Sequence, residues 1–121
     1  FLSVFKMEER KGWRLLVSAF LRAFRGRKDV LLLLRTYLHR PGPSGDIHDK
    51  KEMMEQIRAH VNGSSPLSFA ASEGVIPEEE WPPVEIVSTH LRTAEMPALY
   101  SAADVFVLPS HGEGWGLPAM E

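Results

Sequence analysis

The sequence contains no cysteine, and this absence excludes several kinds of chemistry. Without a thiol the chain has no disulfide, no cysteine nucleophile and no thiolate metal site, a composition that fits an intracellular protein. The five histidines are scattered without the spacing of metal ligands, and no close pair of aspartates marks a divalent-cation site. The sequence therefore predicts no bound metal.

Long hydrophobic runs and a large net charge are also missing. No apolar stretch approaches the roughly 18 residues of a membrane span, no signal peptide is visible, and the formal net charge is -2. The first 28 residues are rich in lysine and arginine, but no aromatic side chains interleave on the basic side to stack on bases. We therefore expect no transmembrane segment, no nucleic-acid partner, and a location in the cytoplasm or on the cytosolic face of a membrane.

The length and the two ends of the chain indicate a partial domain. The 121 residues allow one domain at most. The sequence begins on an apolar run without an initiator methionine, and it stops at Glu121, barely one turn after a helix start at Pro118. Domains do not normally end inside a helix whose backbone groups still need partners. We expect a piece of a longer polypeptide.

Strand-like and helix-like segments alternate along the sequence. Strands are predicted at residues 1–5, 29–34, 84–87 and 104–108, helices at 11–26, 46–61 and 93–102, and loops at 40–45 and 64–83. The continuous apolar run at 30–34 is typical of a strand covered on both faces. The alternation predicts an α/β fold with a Rossmann-like, doubly wound parallel sheet that binds ligands at the carboxyl ends of its strands.

A glycine-rich turn with two glutamates follows the last predicted strand. Glycines alternate at positions 112, 114 and 116, and Pro118 suits the first position of a helix. Such a turn leaves free amide N–H groups and the positive end of a helix dipole facing its occupant, which favours an anion. Glu113 and Glu121 would face the same cleft, where carboxylates accept paired hydrogen bonds from the vicinal diols of sugars. Taken singly, Glu113 also fits a surface loop and Glu121 fits an acid favoured by the helix dipole.

Lys11 and Gly12 follow the first predicted strand and open the first helix. A cation near a helix N-terminus is unfavourable unless an anion is shared with it, so the pair predicts a second arm of the anion site, reinforced by Arg10 or Lys6. The alternative is that Lys11 is a solvated cation balanced by nearby acids. Because parallel strands deliver their loops to one edge of a sheet, we expect Lys11 and the glycine turn to meet over one phosphate pair.

Three segments of the sequence resemble a known enzyme family. They are Arg-Lys-Gly at 10–12, the segment MPALYSAADVFVLPS at 96–110, and the glycine turn with its glutamates at 112–121. Together they are similar to the C-terminal, donor-binding domain of retaining GT-B glycosyltransferases of the group-one or family-four type, whose E-x7-E signature corresponds to Glu113 and Glu121. The resemblance is close over 96–121 and loose elsewhere. It implies that residues 1–121 are an incomplete C-terminal half of a GT-B fold, a partial nucleotide-sugar-binding domain without the N-terminal acceptor domain and the final C-terminal elements.

The resemblance implies an activity and a set of site residues. The expected enzyme is a retaining glycosyltransferase of the hexosyltransferase type, which moves a sugar from a nucleotide-diphospho-sugar donor to a hydroxyl of a glycan, lipid or small molecule. No cofactor or metal is expected, because a basic pair and a helix dipole offset the leaving-group charge. Lys11 would hold the diphosphate, Glu113 would contact the transferred sugar, and these two are the expected catalytic residues. The expected donor-binding residues are Arg10, Lys11, Gly12, Leu91, Gly114, Trp115, Gly116, Leu117 and Glu121.

The chain departs from the family pattern at three places. The usual arginine about six residues before the lysine falls near Phe5, the second strand runs into Arg35-Thr36-Tyr37 instead of a glycine turn, and the residues around His90 and Leu91, expected at the nucleobase, lack the usual glycine. The isolated fragment is expected to be inactive. Two alternatives are a nucleotide-binding Rossmann-like module without catalysis and a GT-B phosphorylase-type enzyme that uses inorganic phosphate and binds no nucleotide.

Overall fold

The computed structural model describes residues 1–38, 40, 42–43, 45–63 and 74–112. Strands and helices alternate in these residues, which confirms the α/β class. The elements in chain order are β1 (Leu2–Lys6), α1 (Trp13–Ala23), β2 (Leu32–Tyr37), α2 (Lys50–Val61), β3 (Val84–Val87) and α3 (Met96–Ser101). Short 3₁₀ turns at Glu9–Lys11, Glu78–Glu80 and Thr93–Glu95 precede α1, β3 and α3.

The strands form a parallel sheet in the order β1-β2-β3. Lys6 pairs with Tyr37 at the carboxyl end of the first ladder, and Leu34 pairs with Ile86 in the second. The strand expected at 104–108 is reduced to one parallel bridge between Leu2 and Phe106, on the side of β1 away from β2. Two backbone hydrogen bonds of 2.8 Å flank this bridge, from Leu2 N to Val105 O and from Val107 N to Leu2 O. The segment 105–107 therefore lies along β1, but its ladder is too short to count as a strand.

Two local features end that ladder early. The Val107 carbonyl accepts a hydrogen bond of 2.7 Å from the hydroxyl of Ser3. Two residues later, Pro109 has no N–H to offer. The prediction of a full strand at 104–108 is thus wrong in length, although the position of the segment beside the sheet is as expected for a parallel α/β fold.

Helix starts differ from the predicted ones for identifiable reasons. Helix α1 begins at Trp13 because the preceding residues form a 3₁₀ turn and Gly12 adopts a left-handed conformation with φ of 68°. Helix α2 begins at Lys50, since the carboxylate of Asp49 accepts hydrogen bonds from the N–H groups of Lys51 and Glu52 at 2.8 and 3.3 Å. An antiparallel bridge between Leu38 and Ile47 keeps the residues before Asp49 out of the helix.

Strand β2 also lies three residues further along the chain than predicted. Its side chains alternate between buried and half-buried, so one face of the strand is covered and the other is only partly covered. The expectation of a strand covered on both faces is therefore wrong for the second face. The well-covered face carries the core with α1 and α2. Its buried members include Phe5, Trp13, Val17, Leu34, Met53, Ile57 and Ile86. The second face is half-covered and carries Val4, Lys6, Leu33, Arg35 and Tyr37.

The basic residues around α1 are engaged in ion pairs. Arg14 pairs with Glu9 at 2.8 Å, Arg27 pairs with Asp29, and Arg25 pairs with Glu80 of the turn before β3. Their charges are thus largely balanced by acids at the same surface. In the described ranges no helix is long and apolar enough to cross a membrane.

Candidate functional site

Two loops meet at the carboxyl edge of the sheet. One follows β1 and contains Arg10; the other follows the segment 105–107 and runs to Gly112. The Arg10 carbonyl accepts hydrogen bonds from the His111 N–H at 2.9 Å and from the Ser110 hydroxyl at 3.4 Å, and the Arg10 guanidinium donates to the Gly112 carbonyl at 3.3 Å. The loop that contains Lys11 therefore lies beside residues 110–112, on the side expected from parallel topology. That the two loops meet over a phosphate pair stays a prediction.

Gly12 lies against the Pro109 backbone, where the two loops come close together. A Cβ atom at this position would lie 2.2 Å from the Pro109 carbonyl oxygen, and the φ of 68° is one that other residues adopt at a cost. Gly12 is also the N-cap of α1, and no side chain hydrogen-bonds the cap there. The first turn of α1 carries no acid, so the positive end of this helix has no carboxylate of its own helix beside it.

Lys11 lies at the same junction with only 8 % of its surface exposed. The alternative of a solvated surface cation is therefore wrong for this residue. Burying a lysine is costly unless other groups compensate its charge, so Lys11 needs polar or anionic partners at this junction. Arg10 is different, because its guanidinium is exposed and lies 3.2 Å from the Glu8 carboxylate.

A row of polar and aromatic side chains continues along the same edge from β1 to β3. The Lys6 ammonium lies 5.9 Å from the centroid of the Tyr37 ring, and the rings of Tyr37 and His48 stack with centroids 5.5 Å apart at 30°. His48 Nδ1 lies 2.7 Å from the carbonyl oxygen of Ser88, just beyond the end of β3. A carbonyl only accepts, so His48 donates from Nδ1. We call Lys6, Tyr37, His48 and Ser88 the edge row.

The sequence predictions missed the edge row. Lys6 and Tyr37 end adjacent strands in register, but that register depends on where β2 begins, which the apolar run alone misplaces. The one signal available was the departure at Tyr37, where the resembled family has a glycine turn. His48 belongs to a segment predicted as helix, which hid its position at the edge.

The remaining predicted site residues divide into two groups. Leu91 is half-buried in the loop between β3 and the Thr93–Glu95 turn, on the same side of the sheet as Ser88. The others, Glu113, Gly114, Trp115, Gly116, Leu117 and Glu121, lie outside the described residues. Within the part of the chain that is described, no group of three or more histidines and acids is placed to hold a metal ion.

Comparison of the chain with known protein families, with curated proteins and with solved structures finds no match. The assignment of a function therefore depends on the residues and geometry of the carboxyl edge.

Proposed function

We propose that the chain is the nucleotide-sugar-binding part of a retaining GT-B glycosyltransferase, and that its sheet belongs to the Rossmann-like C-terminal half of that fold. The observation that carries the proposal is the contact between Gly12 and Pro109. It joins the start of α1 to the turn in which the glycines and glutamates of the family signature begin. The resemblance in sequence and the geometry thus concern the same two loops.

The strand order supports a ligand site between these loops. From β1 the chain moves to β2 and then β3 on one side, whereas the segment 105–107 returns to the other side of β1. The crevice between β1 and this segment is thus the place where the winding reverses. Open α/β sheets bind their ligands at such a point, outside the carboxyl ends of the strands.

The groups at this crevice favour a diphosphate. The N-terminus of α1 offers backbone N–H groups and a positive dipole end, and Gly12 permits the loop that contains Pro109 to lie against this end. Lys11 adds a buried positive charge within the same loop. In the proposed function Lys11 holds the donor diphosphate and stabilises the charge that develops on it as the sugar departs.

The glutamate pair completes the proposed site. Glu113 contacts the transferred sugar, Glu121 binds the ribose hydroxyls, and the backbone amides of residues 114–117 face the sugar and phosphates. The acceptor hydroxyl attacks the anomeric carbon on the face from which the nucleoside diphosphate leaves, so that the configuration is retained. The proton of that hydroxyl passes to the departing diphosphate oxygen as its bond to the sugar breaks, and no metal is needed.

The proposal is tested first by binding. We expect amide resonances of residues 11–12 and 107–112 to shift on titration with one of UDP, GDP and ADP, and Lys11→Ala to weaken that nucleotide by about tenfold or more, since a charge-assisted contact contributes about 1.5–3 kcal/mol. Lys51→Ala, which changes an exposed cation of α2, should leave the affinity unchanged. A folded protein that binds none of the three nucleotides would contradict the proposal.

Catalysis is tested in the full-length protein with Glu113→Gln. We expect sugar transfer to fall by at least about a hundredfold, as it does when one group stabilising a transition state is removed, while the nucleotide binds as before. Unchanged transfer by this variant would remove Glu113 from the proposed site. A protein that binds nucleotide but transfers no sugar before mutation would instead be a nucleotide-binding module, the principal alternative.

A further inference from the structure

The edge row supplies a rigid aromatic surface that the proposed phosphate site leaves unused. His48 is exposed, yet its ring is held in two ways, by the stack on Tyr37 and by the hydrogen bond to the Ser88 carbonyl. An exposed side chain ordinarily keeps its rotamer freedom in the folded protein. The imidazole of His48 has already lost its rotamer freedom before a ligand binds. A preorganised binding surface has this property.

The exposure of His48 leaves part of its ring available to a ligand. The Lys6 ammonium lies 5.9 Å from the centroid of the Tyr37 ring, and His48 stacks on that ring as well. His48 itself remains exposed, so the stack on Tyr37 does not bury it. Because Nδ1 donates to Ser88, the neutral ring carries its acceptor lone pair on Nε2.

The position of this face suits the base of a nucleotide. Neighbouring strands are about 4.8 Å apart, so β3 lies about 10 Å from β1 along the edge. The proposed diphosphate lies over the loop after β1, and the ribose of a nucleoside diphosphate carries the base away from the phosphates. A donor laid along the edge toward β3 would bring its base to His48, while the α-phosphate passes Lys6.

We propose that His48, held by Tyr37 and Ser88, is the stacking surface for the nucleobase of the donor. This inference rests on the proposed function and adds a residue that determines how the base is held. The imidazole face stacks on the base, and Tyr37 acts as a positioning residue through His48.

The test compares a ligand that has a base with one that has none. Binding of the best of UDP, GDP and ADP, and of inorganic pyrophosphate, is measured by calorimetry for the unmodified protein, His48→Ala, His48→Phe and Lys51→Ala. We expect His48→Ala to weaken the nucleotide at least about fivefold, the lower end of what stacking a base on a ring contributes, and to leave pyrophosphate unchanged. His48→Phe keeps the ring and should recover most of the loss, whereas Lys51→Ala should change neither ligand.

A second readout locates the base directly. The ring protons of His48 should shift upfield when the nucleotide binds and should not shift with pyrophosphate. Nucleotide binding that depends on Lys11 but is indifferent to His48→Ala, with His48 ring protons unmoved, would overturn the inference and leave the proposed function standing. Failure of every nucleotide to bind would overturn both.

Discussion

At the scale of single residues, Gly12 meets two requirements that a residue with a Cβ atom would not meet. Its φ of 68° lies in the left-handed region, and its missing side chain makes room for the Pro109 carbonyl. The two nearest atoms that a Cβ would meet belong to the Pro109 backbone, which cannot move aside as the end of a flexible side chain can. Gly12 therefore sets the distance between the two loops of the candidate site.

Gly12→Ala should be strongly destabilising. We expect a loss of about 2–5 kcal/mol in the free energy of unfolding, from backbone strain together with overpacking, measured by urea denaturation. Gly26→Ala is the matched control, because Gly26 has a φ of 77° but no atom within 4 Å of an added Cβ. Strain alone should cost that variant about 1–2 kcal/mol. Equal losses in the two variants would show that the Pro109 contact is unimportant.

At the scale of elements, the contact between α1 and α2 includes a buried polar pair. Ser18 and His60 are joined by a hydrogen bond of 2.8 Å between Oγ and Nε2, and His60 is 3 % exposed. The His60 ring also packs edge-on against Trp13, with ring centroids 5.6 Å apart. The pair fixes the position of one helix relative to the other where they pack together.

Ser18→Ala should lower the free energy of unfolding by about 1–2 kcal/mol, because it deprives a buried imidazole of a hydrogen bond. His60→Leu should be less damaging in the Ser18→Ala background than alone, since the bond that it breaks is already absent. Thermal unfolding of the two single variants and the double variant measures this coupling. Strictly additive losses would mean that the hydrogen bond contributes little.

The helices and strands also show how much of the fold the sequence predicts. The helical periodicity identifies α1 and α2, and the apolar runs identify the strands, but the boundaries depend on contacts that periodicity does not contain. The start of α2 was readable, since Asp49 followed by Glu52 is a capping pattern. The shift of β2 was not, because the run at 30–34 is apolar throughout and only pairing with β1 decides which residues enter the ladder.

The candidate site was predictable to a similar degree. Lys11, Gly12 and the turn after residue 108 are local motifs, and their meeting follows from parallel topology alone. The edge row joins Lys6, Tyr37, His48 and Ser88 from four separate parts of the chain. Such a row exists only once strand register is set, and the departure from the family pattern at Tyr37 is its one local sign.

At the scale of the whole molecule, ion pairs link elements that are distant in sequence. Arg25 at the end of α1 pairs with Glu80, and Arg58 of α2 pairs with Glu78 in the same turn at 2.9 Å. Hydrogen bonding from Arg25 lowers the pKa of Glu80, and hydrogen bonding from Arg27 lowers the pKa of Asp29 to about 2. A carboxylate with a lowered pKa stabilises the folded state above its unfolded pKa, and this contribution disappears as the pH falls through the folded value.

Stability should therefore decline as the pH falls from about 4, the ordinary value of an unfolded carboxyl group, toward 2. For Asp29 the direct measurement is the pH titration of its carboxyl carbon by NMR. Arg27→Gln should raise its pKa toward the ordinary value. Arg92→Gln, which removes the hydrogen-bond donor that lowers the pKa of Glu95, should leave Asp29 unaffected. An Asp29 titration that is the same with and without Arg27 would contradict this account.

Among the described strands, β3 lies at one side of the sheet and pairs with β2 alone. Such an edge invites intermolecular pairing and aggregation. Here the strand has only four residues, it carries the exposed charge of Glu85 beside Lys50, and Pro82 and Pro83 precede it without an N–H to extend a ladder. The short length of β3, its charge and the prolines before it thus oppose the addition of further strands, and so fibril growth, at this side of the sheet.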